Sequence, residues 1–214
     1  MPGPNGFRAF LFDWDGTLVD SAAKSYRCYV KVFSAYGIEY DQAAFRRTYS
    51  PDWYRTYEQL GLPRERWDEA DARWLECYET EPSALVRGAA QALERLEVLG
   101  IARGLVSSGD ATRVRRELDD LGVGRFFGAV VCGGETPRRK PHPEPLLLAL
   151  ERLGVAPADA VYVGDSPEDV TMAKAAGAFS VGIPGGFPNQ EALAASGPDA
   201  LVPSLDAALA ALLG

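Results

Sequence analysis

Two aspartates one residue apart, Asp13 and Asp15, end a short apolar run in FLFDWDGTLVDS, residues 10–21. Like charges at the mouth of a buried strand repel, so a cation must answer them. A hard divalent ion with oxygen ligands, most simply Mg²⁺, meets that need. Three distant stretches offer matching chemistry. Ser107, Ser108 and Gly109 follow ARGLV, Lys140 lies in PRRKPHPEP, and Asp165 and Asp169 lie in VGDSPEDV. Carboxylates, a hydroxyl, an ammonium and the backbone N–H groups around Gly109 form a set suited to a phosphoryl group. Asp13 and Asp165 are the expected direct metal ligands, with a backbone carbonyl near Asp15 and waters completing the shell. The ion would keep Asp13 ionised and able to attack. Asp15, its side chain off the metal, would give a proton to a leaving oxygen. Neighbouring carboxylates in different environments divide such roles.

These residues come together only if the chain builds a parallel sheet. Five short apolar runs end at loops rich in Gly, Ser or Asp: RAFLF before Asp13, ARGLV before Ser107, GAVV before Cys132, AVYV before Gly164 and FSVGI before Pro184. Runs without alternation suit strands covered on both faces. Helical patterns at 89–99, 112–121, 143–153 and 167–176 separate the later runs. Gly100, Gly122, Gly154 and Gly177 stop them, and proline opens the last two. A final helix is expected at 204–213. The alternation predicts a doubly wound, Rossmann-like α/β core with the first strand central. In such sheets ligands bind beyond the carboxyl ends of the strands, where every candidate residue above falls.

Residues 21–83 break this rhythm, with helical patterns at 22–36, 41–45, 51–60 and 64–78 and no convincing strand. Eight of the nine tyrosines and three of the four tryptophans fall in this stretch, enough to give it a small core of its own. We read it as an all-helical domain inserted after the first strand. The expected division is a flexible tail at 1–7, a core at 8–20 and 84–214, and the insert at 21–83.

A net charge of −8 argues against a nucleic-acid-binding surface. The apolar stretch AFLF near the start is too short for a membrane span or a signal peptide. Cys28, Cys77 and Cys132 are odd in number and far apart, with no metal or disulfide spacing. The expectation is a cytoplasmic protein, monomer or homodimer, acting on a small phosphorylated metabolite.

DWDGTLVDS, LVSSGD, Lys140 in KPHPEP and GDSPEDVTMAKAAG, in that order, resemble the four motifs of the haloacid dehalogenase (HAD) superfamily of phosphohydrolases. The insert after the first motif resembles the helical cap of the phosphoglycolate-phosphatase-like branch. The likeness spans about 8–213. It implies that Asp13 attacks phosphorus and becomes an aspartyl phosphate. Asp15 would protonate the leaving group and then take a proton from the hydrolytic water. Ser107 would bind phosphoryl oxygens, with Ser108 and Gly109 beside it. Lys140 would neutralise Asp13 and the phosphate, Asp165 would bind Mg²⁺, and Asp169 would orient a metal-bound water or Lys140. In similar caps the stretch carrying Arg46 and Arg47 faces the active site, where an arginine would grip a second anionic group on the substrate.

The resemblance thus implies an Mg²⁺-dependent phosphatase, with phosphoglycolate the first substrate to test, then sugar phosphates or pyrophosphate. Dehalogenases of the superfamily lack the second aspartate, which is present here. A phosphomutase like β-phosphoglucomutase is the alternative. Its relatives tend to carry a histidine soon after the first motif and an acid in place of Gly164, and this chain has neither. An alternative of another class is a non-enzymatic module that becomes phosphorylated on aspartate.

Overall fold

The computed structural model describes residues 6–214. Most of the tail expected at 1–7 lies outside the described residues. Phe7 is described, and its ring packs against Phe10 and Phe179, with centroids 6.4 and 5.5 Å away. The chain forms two compact units, one of residues up to Asp20 and from Ala84 onward, the other of Ser21–Ser83.

Strand β1 (Ala9–Phe12) opens the first unit. The second unit follows with α1 (Ala22–Ser34), α2 (Gln42–Thr48), α3 (Trp53–Gln59) and α4 (Trp67–Glu79), the last preceded by a 3₁₀ turn at Arg64–Arg66. The chain then returns to the first unit as α5 (Ala89–Val98), β2 (Ala102–Asp110), α6 (Ala111–Asp120), β3 (Ala129–Gly133), α7 (Glu144–Leu153) and β4 (Ala160–Gly164). It ends with α8 (Pro167–Ala176), β5 (Phe179–Gly182), α9 (Gln190–Ala195), β6 (Ala200–Leu201) and α10 (Leu205–Leu213).

The six strands are parallel, in the order β3-β2-β1-β4-β5-β6. Successive side chains of β1 point to opposite faces. Phe10 and Phe12 join one apolar layer with Leu93 and Leu96 of α5, Val114 of α6 and Leu209 of α10. Ala9 and Leu11 join the other with Leu146 and Leu150 of α7 and Met172 of α8. Both faces are covered, so the strands read as unbroken apolar runs. Each fully buried Leu or Phe contributes about 1.5–3 kcal/mol relative to exposure, which anchors β1 firmly beneath the two aspartates.

The structure corrects several sequence expectations. Helix α2 does not end at Phe45 but continues through Arg46 and Arg47 to Thr48. Strand β2 does not stop at Val106 but continues through Ser107, Ser108 and Gly109 to Asp110, with a register shift against β3 after Val106. Backbone pairing there outlasts the apolar side chains. Helix α3 starts at Trp53 rather than Pro51, because the Ser50 hydroxyl accepts from the Asp52 N–H (3.2 Å) in a turn ahead of it. Helix α9 and strand β6 were not expected; six and two residues are too few to show a period.

The second unit packs around rings. Phe33, Tyr57 and Tyr78 are fully buried. Phe33 and Tyr40 lie 4.7 Å apart, and Tyr54 stacks on Trp67 at 4.8 Å. Asp71 of α4 accepts from the hydroxyls of Tyr54 (3.0 Å) and Tyr57 (2.9 Å) of α3, which pins the two helices together. Among the described residues no helix is long and apolar enough to cross a membrane.

Candidate active site

Central β1 fixes where the acids meet. Its register pairs Phe12 with Leu105 of β2 and with Val163 of β4. The Asp13 N–H donates to the Val163 carbonyl (2.9 Å), so Asp13 is the last residue tied to the sheet. Asp165 stands just past the end of β4, and Ser107 lies in the extension of β2. Between β2 and β4 the chain reverses its direction of travel across the sheet, the position where open α/β sheets bind ligands.

Carboxylate oxygens of Asp13, Asp165 and Asp169 lie within 4.8 Å of one another, and all three residues are buried. Lys140 Nζ donates to Asp13 Oδ1 (2.6 Å) and Asp169 Oδ1 (2.7 Å), with its side chain 6% exposed. The Lys140–Pro141 peptide is cis. Burial raises Asp13 to about 7; Lys140 opposes the rise, while Asp169 and Asp15 add to it. Burial also pushes Asp165 well above the usual carboxylate range, with Asp13 and Asp169 reinforcing. For Lys140, burial favours the neutral amine, but Asp13 and Asp169 outweigh it and hold the ammonium.

Three carboxylates around one ammonium leave an excess of two negative charges when all are ionised. Asp165 Oδ2 is buried without a hydrogen-bond partner. Glycine surrounds it: a Cβ on Gly16 (φ +83°) would fall 2.2 Å from this oxygen, and one on Gly185 1.8 Å from it. An unpaired oxygen in a cradle of side-chain-free backbone, with oxygen-only donors and surplus negative charge, fits a hard divalent cation such as Mg²⁺. Asp13 and Asp165 have the oxygens to hold it.

Asp169 is engaged differently. Its Oδ1 also accepts from the Tyr162 hydroxyl (3.2 Å), and its Oδ2 accepts from the Ser166 N–H (3.1 Å) and hydroxyl (2.7 Å). Ser166 in turn accepts from the Asp169 N–H (3.2 Å), closing a capping box at the start of α8. Gly164 makes room for this arrangement: a Cβ there would sit 2.4 Å from Asp169 Cγ.

Asp15 stands apart from the oxygen cluster. Arg113 of α6 holds it with a two-pronged bond, Nη2 to Oδ2 at 2.6 Å and Nη1 to Oδ1 at 3.2 Å. Its carboxylate therefore does not join the cluster of Asp13, Asp165 and Asp169. Ser107 is buried, and its Oγ accepts from the Gly109 N–H (3.0 Å); Ser108 and Gly109 are half-buried. Arg46 and Arg47 are exposed in the last turn of α2, in the second unit.

Arg113, Glu117 and Tyr162 escaped sequence reasoning. A charged pair four apart on a helix normally marks a solvated face, yet Arg113 and Glu117 are both buried. The residues that would have pointed to them are the glycine before α6 and the tryptophan between the two acids. Tyr162 is hidden inside the apolar run AVYV, where its hydroxyl is the one polar side-chain group; in the structure it donates toward Val106 O (3.0 Å) and Asp169 Oδ1 (3.2 Å).

Comparison with known proteins shows what the chain as a whole is similar to. The model of the haloacid dehalogenase-like hydrolase family matches residues 10–183. A phosphoglycolate phosphatase of Shigella boydii is 32% identical over 236 residues, covering 96% of this chain and 92% of that protein. A Haemophilus somnus protein described as a predicted phosphoglycolate phosphatase superposes with a TM-score of 0.86 over 98% of this chain and 99% of its own, at 23% identity. CbbY of Rhodobacter sphaeroides, crystallised in complex with phosphate, superposes at 0.81 over 96% and 99%, at 25% identity. A family match along most of the chain and a relative similar over nearly its whole length place this protein among the haloacid dehalogenase-like hydrolases, as a phosphatase of the phosphoglycolate-phosphatase-like branch.

Proposed function

We propose that the chain hydrolyses a small anionic phosphomonoester, phosphoglycolate first, through an aspartyl phosphate on Asp13 and with Mg²⁺ as cofactor. The observation that carries this is the buried trio of Asp13, Asp165 and Asp169, with Lys140 bonded to two of its members. Asp13 and Asp165 would hold the cation; when bound, it neutralises charge on the carboxylates and the phosphoryl oxygens.

An oxygen of Asp13 attacks phosphorus and the ester P–O bond breaks. Asp15 gives its proton to the departing oxygen, which leaves as the alcohol. Water then attacks phosphorus and passes a proton to Asp15; the P–O bond to Asp13 breaks, and inorganic phosphate leaves. Lys140 balances the charge that builds on the phosphoryl oxygens, and Asp169 with Tyr162 keeps the ammonium aimed at Asp13. The Ser107 hydroxyl and the N–H groups around Gly109 bind the phosphoryl group. Positioning and fixed charge supply most of the acceleration.

Gly164 supports hydrolysis over mutase chemistry, because an acidic side chain there would displace Asp169 from its present place. Family membership sets aside the non-enzymatic module. Cys28 and Cys77, far apart in sequence, meet side chain to side chain as free thiols; a cytoplasmic setting is part of the same proposal. A panel of phosphomonoesters assayed with Mg²⁺ tests the reading. The expected result is the highest kcat/KM for phosphoglycolate. A sugar phosphate turned over faster would replace that substrate, and a sugar phosphate isomerised without phosphate release would replace the phosphatase with a mutase.

A further inference from the structure

The DWD motif is tied to α6 by a closed circuit of three buried side chains, Arg113, Glu117 and Trp14, around the half-buried Asp15. Arg113 grips Asp15 with both terminal nitrogens. Arg113 Nη1 also donates to Glu117 Oε2 (2.9 Å). Glu117 Oε2 accepts in addition from the indole N–H of Trp14 (2.8 Å), and Trp14 is the chain neighbour of Asp15. The side chains of Arg113 and Glu117 are 3% and 4% exposed, and Trp14 is fully buried. The guanidinium passes over Gly109, where a Cβ would lie 2.2 Å from Nη2. No side chain at 109 can coexist with this path unless the arginine moves.

A buried arginine between two carboxylates is a costly way to stabilise a fold, since apolar residues of equal volume usually serve as well. Its geometric product is more specific. A planar fork fixes both oxygens of its carboxylate at once, which a lysine cannot do. Glu117 fixes the fork, and Trp14 fixes Glu117 relative to the backbone that carries Asp15. The circuit constrains where the Asp15 carboxylate points.

We propose that Arg113, braced by Glu117 and Trp14, is a positioning residue that sets the Asp15 carboxylate for proton transfer to and from the reacting oxygens. The inference rests on the proposed role of Asp15 and extends it to a residue outside the four motifs. It separates the two chemical steps by their need for a proton. A p-nitrophenolate leaving group departs without an acid, so the transfer of phosphorus from p-nitrophenyl phosphate to Asp13 does not need Asp15. Release of an alkoxide, and attack of water on the aspartyl phosphate, both do.

The test is rapid-mixing kinetics of wild type, Arg113→Lys and Asp15→Asn, with p-nitrophenyl phosphate and with phosphoglycolate. Arg113→Lys keeps the charge and loses the fork. It should retain a burst of p-nitrophenolate equal to its active sites, followed by turnover slowed about tenfold or more. Its rate on phosphoglycolate should fall by at least as much, with KM changed less than about threefold. Asp15→Asn should show the same split more strongly, in line with the roughly 10²–10⁴-fold worth of acid–base catalysis. The split between burst and turnover is internal to each sample, so partial unfolding of a variant does not imitate it. If Arg113→Lys yields too little folded protein, Glu117→Gln, which loosens the brace, is read the same way. A burst and turnover that fall together in the arginine variant, while Asp15→Asn keeps the split, would overturn the positioning role alone. A split absent from Asp15→Asn would overturn the role of Asp15 itself.

Discussion

Asp13 lies buried beside two further carboxylates, with Lys140 as their shared ammonium. Burial lifts its folded value from 3.8 to about 7. In that window the folded chain keeps a proton that the unfolded chain has released. Stability from this group is therefore fullest below about pH 4 and is lost as the pH rises through about 7. Asp165 acts in the same direction. A cation bound between them competes with the proton and relieves the penalty. Mg²⁺ should raise the melting temperature more near pH 8 than near pH 5, and Asp13→Asn should melt above wild type in chelator near pH 8. Thermal melts with and without Mg²⁺ measure both; an equal Mg²⁺ shift at the two pH values would contradict the metal assignment. At this scale the sequence was legible where chemistry is local. Asp13, Lys140, Asp165 and Asp169 announce themselves by type beside a strand end or helix start. Arg113 did not, because its partner lies 98 residues away and no local pattern encodes that pairing.

Among the elements, α8 does the most for the site. Its capping box uses Ser166 and Asp169 for two purposes at once: it satisfies the helix N-terminus and holds the carboxylate that carries Lys140. Ser166→Ala removes the hydroxyl that caps the Asp169 N–H and one of the two Ser166 bonds to the Asp169 carboxylate, leaving the bond from the backbone N–H. Loss of stability of about 1 kcal/mol is expected from the cap alone, read by urea melts. A lower kcat at unchanged folded fraction is expected from the loosened Asp169, which keeps its bonds from Lys140, Tyr162 and the backbone N–H at 166; a stability loss with kcat intact would confine Ser166 to capping. The core helices other than α9 are legible because glycine and proline punctuate them, and the pattern at 167–176 matches α8 to the residue. What escaped was set by backbone or by length. The β2 extension pairs through polar residues, α3 is delayed by a serine turn, and β6 is two residues long.

For the whole molecule, a sheet order that reverses at β1 gathers residues from positions 13 to 169 into one cluster. That order was legible only as a class, because strand and helix alternation implies a doubly wound sheet without numbering its strands. Arg46 and Arg47 are exposed in the second unit, and we propose them as the grip on a second anionic group of the substrate. Loss of a hydrogen bond to a charged group costs about 1.5–3 kcal/mol, or roughly tenfold or more in KM. Arg46→Ala or Arg47→Ala should raise KM for phosphoglycolate by that factor and leave p-nitrophenyl phosphate, which lacks a carboxylate, unchanged. Steady-state kinetics on the two substrates decide it; equal effects on both would remove the arginines from substrate recognition.

In the proposed mechanism phosphorus must reach Asp13. Acid-quenched reactions with labelled substrate and Mg²⁺, followed by peptide mapping, measure this directly. The label should appear on the peptide containing Asp13, depend on Mg²⁺, and be absent from Asp13→Asn, which should also lose turnover. Label on another residue, or multiple turnovers by Asp13→Asn, would contradict the mechanism.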